Sequence, residues 1–131
     1  MFELSQSFYF ESAHSLIREF ETESSRRIHG HTYTAEITVA GKRDPATGMV
    51  VDLAVIRQSI DRVRGLLDHR FLDDVPNLGP PTIENLCAFL WREFDADFIG
   101  LSCVRVGRTA GGDSCVLRKT EAGGENERTQ V

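Results

Sequence analysis

Residues 29–39 read HGHTYTAEITV, an apolar–polar alternation that defines one strand and its inner face. His29, His31, Tyr33, Ala35, Ile37 and Val39 fall on one side, and Thr32, Thr34, Glu36 and Thr38 on the other. A period of two is the spacing of a half-buried β-strand. The preceding apolar segment repeats it. In FELSQSFYFESAH, residues 2–14, Phe2, Leu4, Phe8, Phe10 and His14 share one parity while Glu3, Ser5, Ser7 and Glu11 take the other. The polar run between the two, residues 15–28, reads as a loop, and GKRDPATGM, residues 41–49, ends the second strand with glycine and proline.

The period then changes. Asp52 is placed to cap a helix in which Leu53, Ile56, Ile60, Val63 and Leu67 recur at helical spacing. DDVPNLGPP, residues 73–81, breaks it. Thr82 caps a second helix, Glu84 suits the positive end of its dipole, and Ile83, Leu86, Cys87, Leu90 and Phe94 form its buried stripe. Two shorter strands, about 101–106 and 115–119, close around TAGGD, residues 109–113. The order ββααββ predicts a single α+β domain over residues 1–119, with an antiparallel four-stranded sheet and two helices on one face. Its open sheet edges predict oligomerisation. Residues 120–131 carry too little apolar content to fold and read as a disordered tail.

Composition narrows the function. With 131 residues, 40% hydrophobic and 27% charged, the chain reads as one ordinary globular domain. A net charge of −5 argues against nucleic acid or a membrane surface as partner. Thirteen of the fifteen basic residues are arginine, so local anion sites stay open. No apolar run approaches the roughly 18 residues of a membrane span, and MFELSQSF lacks a signal-peptide core. Three cysteines without a CxxC read as reduced thiols, which points to the cytoplasm.

Three of the four histidines end apolar strand faces. His29 and His31, at i and i+2, point to the same side of a strand, their Cα atoms roughly 6–7 Å apart. His14 ends another strand on its core-facing side. If the strands pair, three neutral imidazoles meet. That set suits Zn²⁺ and leaves its fourth position open, as in catalytic zinc sites. Taken singly, His14 reads as a core histidine with satisfied hydrogen bonds, and the HxH pair reads equally either way; the three together point to a metal. His69, after Asp68 in LLDHR, reads either as an acid–base dyad with Asp68 or as a helix-end histidine favoured by the dipole. In isolation the second reading is the better one.

Together these segments resemble the 6-pyruvoyl-tetrahydropterin synthase and 6-carboxytetrahydropterin synthase family. The resemblance is carried by FESAH (10–14), RIHGHTY (27–33), DPATGMVVDLAVIR (44–57), LLDHRFLDDVP (66–76), PTIENL (81–86) and RTAG (108–111), in order, over about residues 2–118. It implies the T-fold, with ββααββ subunits in trimeric barrels, usually hexamers, and active sites between subunits. It implies Zn²⁺ on His14, His29 and His31, an Asp68–His69 dyad, and a small-molecule substrate, with Thr82, Glu84 and Arg108 as candidate contacts. The implied chemistry is zinc-assisted elimination or isomerisation of the hydroxyl-carbonyl side chain of dihydroneopterin triphosphate, with an enediolate-like intermediate.

Two positions depart from the family. Its catalytic base is a cysteine four residues before the HGH, where Ser25 stands here; a hydroxyl is far less acidic than a thiol. Glu23 or Glu21 is an alternative base, since another branch of the family uses glutamate. The family's pterin-anchoring glutamate, three residues before the threonine of TAG, corresponds to Val106, which accepts no hydrogen bond; in a slipped register Glu84 or Asp113 supplies that carboxylate. Arg108, nearby, either suits a carboxylate or phosphate on a different substrate or simply lies on the surface. Three functions follow: a zinc-dependent lyase or isomerase retuned to a non-pterin substrate, a true pterin synthase, or a zinc-stabilised homologue without activity. The lost base and anchor favour the first, and the retained Asp68 and His69 oppose the last.

Overall fold

The computed structural model describes residues 1–20 and 22–120. Strands β1 (Phe2–His14), β2 (His29–Gly41), β3 (Leu101–Arg108) and β4 (Asp113–Arg118) form one antiparallel sheet in the order β1-β2-β3-β4. A five-residue helix α1 (Thr22–Arg26) precedes β2. Helices α2 (Leu53–Leu67) and α3 (Ile83–Asp95) lie between β2 and β3.

The parity read from the sequence sets the core. Phe10, Tyr33, Ala35, Ile37, Val104 and Val106 turn inward from the sheet and pack against Ile56, Val63 and Leu67 of α2 and Leu86, Leu90 and Phe94 of α3, all buried. The Phe10 and Tyr33 rings stack with centroids 5.0 Å apart, and Phe8 meets Phe94 edge-on at 6.1 Å. Gly100 is required by packing. A Cβ there would stand 2.3 Å from the Ala40 carbonyl oxygen, at the point where β3 begins beside the end of β2.

Both long helices start where their caps predict. Asp52 accepts from the Ala54 N–H at 2.8 Å, and Thr82 Oγ1 from the Asn85 N–H at 3.1 Å. Removing an N-cap hydroxyl costs about 1 kcal/mol. Thr82→Ala is therefore expected to lower stability by about that amount in urea denaturation with an unchanged m-value.

Two expectations change. Residues 15–28 are not loop throughout, because α1 forms inside them. Its Glu23 and Arg26 complement the helix dipole, but five residues are too few to show a period. The β3–β4 hairpin is also tighter than expected. β3 continues to Arg108 and β4 starts at Asp113, so these two residues face each other across the strands. The turn is closed by the Gly112 N–H donating to the Arg108 carbonyl at 2.9 Å, with Gly112 at φ 72°. This extension carries Arg108 to the end of the sheet where the histidines lie. Among the described residues no helix is long and apolar enough to cross a membrane, and Cys87, Cys103 and Cys115 are free thiols. Residues 121–131 of the expected tail lie outside the described residues.

Candidate metal centre

The β1–β2 register places His14 directly opposite His29, and His31 lies two residues further along the same face of β2. The Nε2 atoms of His29 and His31 each lie 3.0 Å from that of His14, and one ligand nitrogen from each residue falls within 4.8 Å of the others. The rings meet nearly edge to face, with centroids 4.6–4.8 Å apart. His14 is 2% exposed, while His29 and His31 are half-buried.

Two backbone carbonyls fix the tautomers. His14 Nδ1–H donates to the Pro81 carbonyl at 2.9 Å, and His29 Nδ1–H to the Arg27 carbonyl at 2.7 Å. Each ring then presents an Nε2 lone pair. Burial, reinforced by the neighbouring His14, pushes the His31 pKa down to about 4, and burial is also the main force lowering that of His14. At neutral pH both rings are uncharged. The Nε2 lone pairs of His14 and His29, left without a proton in these tautomers, face each other across 3.0 Å and repel. A cation between them resolves that conflict, and three neutral imidazoles are a donor set that fits Zn²⁺. Holding each imidazole by its second nitrogen is also how metal sites orient histidine ligands.

The triad lines a cleft of about 700 Å³ that also contains Ser25, Arg18, Arg27, Arg108 and Asp113. Ser25 is 7% exposed, and its carbonyl accepts from the Leu16 N–H at 2.7 Å, which ties α1 over the end of β1. Glu23 is exposed, and Glu21 lies outside the described residues. Arg108 Nε donates to both Asp113 carboxylate oxygens, at 3.2 and 3.0 Å, and Nη2 donates to Oδ2. Its Nη1 stands 3.4 Å from His31 Nε2.

The remaining sequence candidates lie elsewhere. Val106 is fully buried in the core, between the sheet and the helices, and does not line the cleft. The inner-face residue of β3 that reaches the triad is Arg108, two positions on. Thr82 caps α3, next to the Pro81 carbonyl that holds His14, and Glu84 is an exposed first-turn residue close enough to act electrostatically on Arg108. Asp68 Oδ1 accepts from the Glu11 N–H at 2.9 Å and Oδ2 pairs with Arg64 at 3.2 Å. His69 Nε2 is 3.9 Å from Asp68 Oδ1, beyond hydrogen-bond length, and the imidazole is 76% exposed. It lines a second cleft with Glu11, Gly30 and Thr32, residues of the outward parity, and with His31 of the triad. Within one chain His69 thus meets the triad only at His31 and does not line the larger cleft that holds Ser25 and Arg108.

His69 is nonetheless held in place. Its N–H donates to the Glu11 carbonyl at 2.7 Å, and its φ is 57°. Left-handed backbone costs a non-glycine residue roughly 1–2 kcal/mol, partly offset in glycine by unfolded-state entropy. His69→Gly is therefore expected to raise stability by up to about 1 kcal/mol while abolishing any function of the imidazole, read as a higher Tm with lost turnover.

A family model described as 6-pyruvoyl tetrahydropterin synthase matches residues 3–118. The chain belongs to that family. Within it, the 6-carboxy-5,6,7,8-tetrahydropterin synthase of Synechocystis is 35% identical over 107 residues, covering 77% of this chain and 81% of that protein. The 6-pyruvoyl tetrahydrobiopterin synthases of Poecilia reticulata and Homo sapiens are 46% and 42% identical over 67 residues. Those matches cover 48% of this chain and 46% of each relative, so this chain spans about half the length of these relatives. The 6-pyruvoyl tetrahydropterin synthase of Caenorhabditis elegans superposes with a TM-score of 0.80 at 23% identity, covering 91% of this chain and 96% of that one. That likeness establishes the T-fold.

Sequence reasoning missed the Pro81 and Arg27 carbonyls that set the imidazoles, as well as Arg18 and Arg27 on the cleft. A backbone oxygen has no residue-type signature. The Arg108–Asp113 pairing had one: TAGG is short enough to place its flanking residues opposite each other.

Proposed function

We propose that this chain is a zinc-dependent lyase or isomerase acting on a small molecule with a hydroxyl beside a carbonyl, retuned away from the family's usual pterin. The observation that carries the reading is the convergence of the His14, His29 and His31 Nε2 lone pairs, with the Nδ1 protons of His14 and His29 already committed to carbonyls. His14, His29 and His31 would hold Zn²⁺, which supplies Lewis-acid polarisation of the substrate's oxygens. Ser25 borders the same cleft, where it would take or return a proton on the substrate carbon. Asp68 and His69 do not line the cleft of Ser25 and Arg108 in their own chain, which supports a homo-oligomer, a trimer or hexamer, with the dyad completing a neighbouring subunit's site. The domain is residues 1–119, and we place the protein in the cytoplasm.

Retuning rests on Ser25 in the base position and on Arg108 beside the metal ligands, since Val106 lies in the core. A second reading, a true 6-carboxytetrahydropterin synthase, is favoured by the Synechocystis relative, whose match covers 77% of this chain. Two measurements test these readings. Metal analysis is expected to find one zinc per chain, and a protein purified without metal overturns the zinc-dependent reading. A direct assay is expected to find weak or no turnover of dihydroneopterin triphosphate, and robust turnover selects the second reading.

A further inference from the structure

We infer that Arg108, oriented by Asp113, reads a carboxylate on the carbon next to the metal-bound oxygen, so that the substrate class is an α-hydroxy- or α-oxocarboxylate. The inference rests on the proposed zinc-dependent reading and specifies what that site accepts.

A guanidinium has two bidentate edges, the side edge of Nε and Nη2 and the end edge of Nη1 and Nη2. Asp113 occupies the side edge. The two residues are cross-strand neighbours at the base of the hairpin, and a Cβ on Gly111 would stand 2.7 Å from Asp113 Oδ1, so the turn keeps room for the carboxylate. The pairing leaves the end edge turned toward the triad, with Nη1 3.4 Å from His31 Nε2. A metal that takes the His31 lone pair removes the acceptor Nη1 faces. An end edge beside a dication with no acceptor calls for an oxyanion.

The charges of the cleft agree. Arg18, Arg27 and Arg108 line it against the single carboxylate of Asp113, and the three imidazoles are neutral ligands. The lining carries more positive than negative charge before any dication is counted, so an anionic substrate is favoured over a neutral one. Distance selects the kind of anion. Nη1 stands 3.4 Å from a ligand nitrogen, so the anionic oxygen must lie within about three bonds of the oxygen on the metal. A carboxylate on the adjacent carbon meets that limit. A phosphate ester adds two further bonds and fits an anion site more distant from the metal.

The test uses zinc-loaded protein and calorimetric titration with glycolate, its neutral isostere glycolamide, and inorganic phosphate. The comparison variant is R108Q/D113N, which removes the pair without changing net charge. Glycolate is expected to bind the wild type at least about tenfold tighter than the variant, the range of one charge-assisted hydrogen bond. Glycolamide affinity is expected to agree between the two proteins within about twofold. R108K, which keeps the charge but not the fork, should fall between them for glycolate, and it serves as the comparison if the double variant does not hold zinc. Equal glycolate affinity in wild type and variants overturns the inference, and so does a larger loss for phosphate than for glycolate. Stoichiometric zinc with no glycolate discrimination overturns this inference alone. A protein that binds no zinc overturns it together with the reading beneath it.

Discussion

His29→Ala is expected to empty the metal centre while leaving the fold intact. The proposed site has three protein ligands, and His29 is the one whose loss disturbs least else. It is half-buried, at the first residue of β2, and its Nδ1 bond goes to the nearby Arg27 carbonyl. His14, at 2% exposure, would leave both a cavity and an unpaired Pro81 carbonyl, so its alanine variant mixes metal loss with misfolding. Structural zinc sites gain about 10–16 kcal/mol from four ligands, hence roughly 3–4 kcal/mol for each, so one lost imidazole weakens zinc binding by a factor of about 100–1,000. Zinc measured on purified protein should fall from one per chain to near zero, and turnover should fall with it. Stability should follow by mass action. A metal held at 100 times its dissociation constant stabilises by about 2.7 kcal/mol, so wild type should lose Tm on chelation while His29→Ala should not respond to the chelator. His69→Ala is the control, because the imidazole outside the triad should leave zinc content unchanged. Full zinc occupancy in His29→Ala would contradict the triad as the metal site.

The residues that were legible in the sequence are those whose role follows from their own position in a periodic element. Strand parity put His14, His29 and His31 on the inner face with Phe10 and Tyr33. The pairing of β1 with β2 then brought them together. The caps Asp52 and Thr82 were legible because a cap is a local hydrogen bond. What was not legible depended on how far an element runs, or on contacts between distant segments. Val106 and Arg108 share the inner face of β3, yet one is sealed in the core and the other emerges beside His31, because the helices cover the sheet only part of the way along. Spacing from TAG alone could not separate them. Asp68 and His69 are both held by the Glu11 backbone, whose N–H donates to Asp68 Oδ1 and whose carbonyl accepts from the His69 N–H, a tertiary contact that no local period announces. Helix α1 was invisible for the opposite reason, being too short for any period, although it carries Ser25 to the cleft.

Ser25→Cys is expected to raise the rate of proton transfer on a hydroxyl-carbonyl substrate, and Ser25→Ala to abolish it. Ser25 is 7% exposed and lines the cleft of the triad, which is where a base must stand to reach a carbon beside the metal. A positioned base contributes about 10²–10⁴-fold, so Ser25→Ala should lose a factor in that range. A thiol ionises near pH 8.5, and Arg18, Arg27 and Arg108 around the same cleft pull it lower, so the cysteine variant has a thiolate where the wild type has a weak hydroxyl. Residual turnover of dihydroneopterin triphosphate is the right assay, because recognition is shared by the variants and the ratio of rates isolates the base. That ratio should reach about tenfold or more in favour of cysteine. The pH–rate profile of the cysteine variant should gain an ascending limb below pH 8.5 that the wild type lacks. Cysteine is close enough in size for the buried position to accept it at a cost of about 1 kcal/mol, so unchanged zinc content and a small Tm shift would accompany the gain. Unchanged rates in both variants would remove Ser25 from the chemistry and transfer the base to Glu23, which is exposed, or to Glu21.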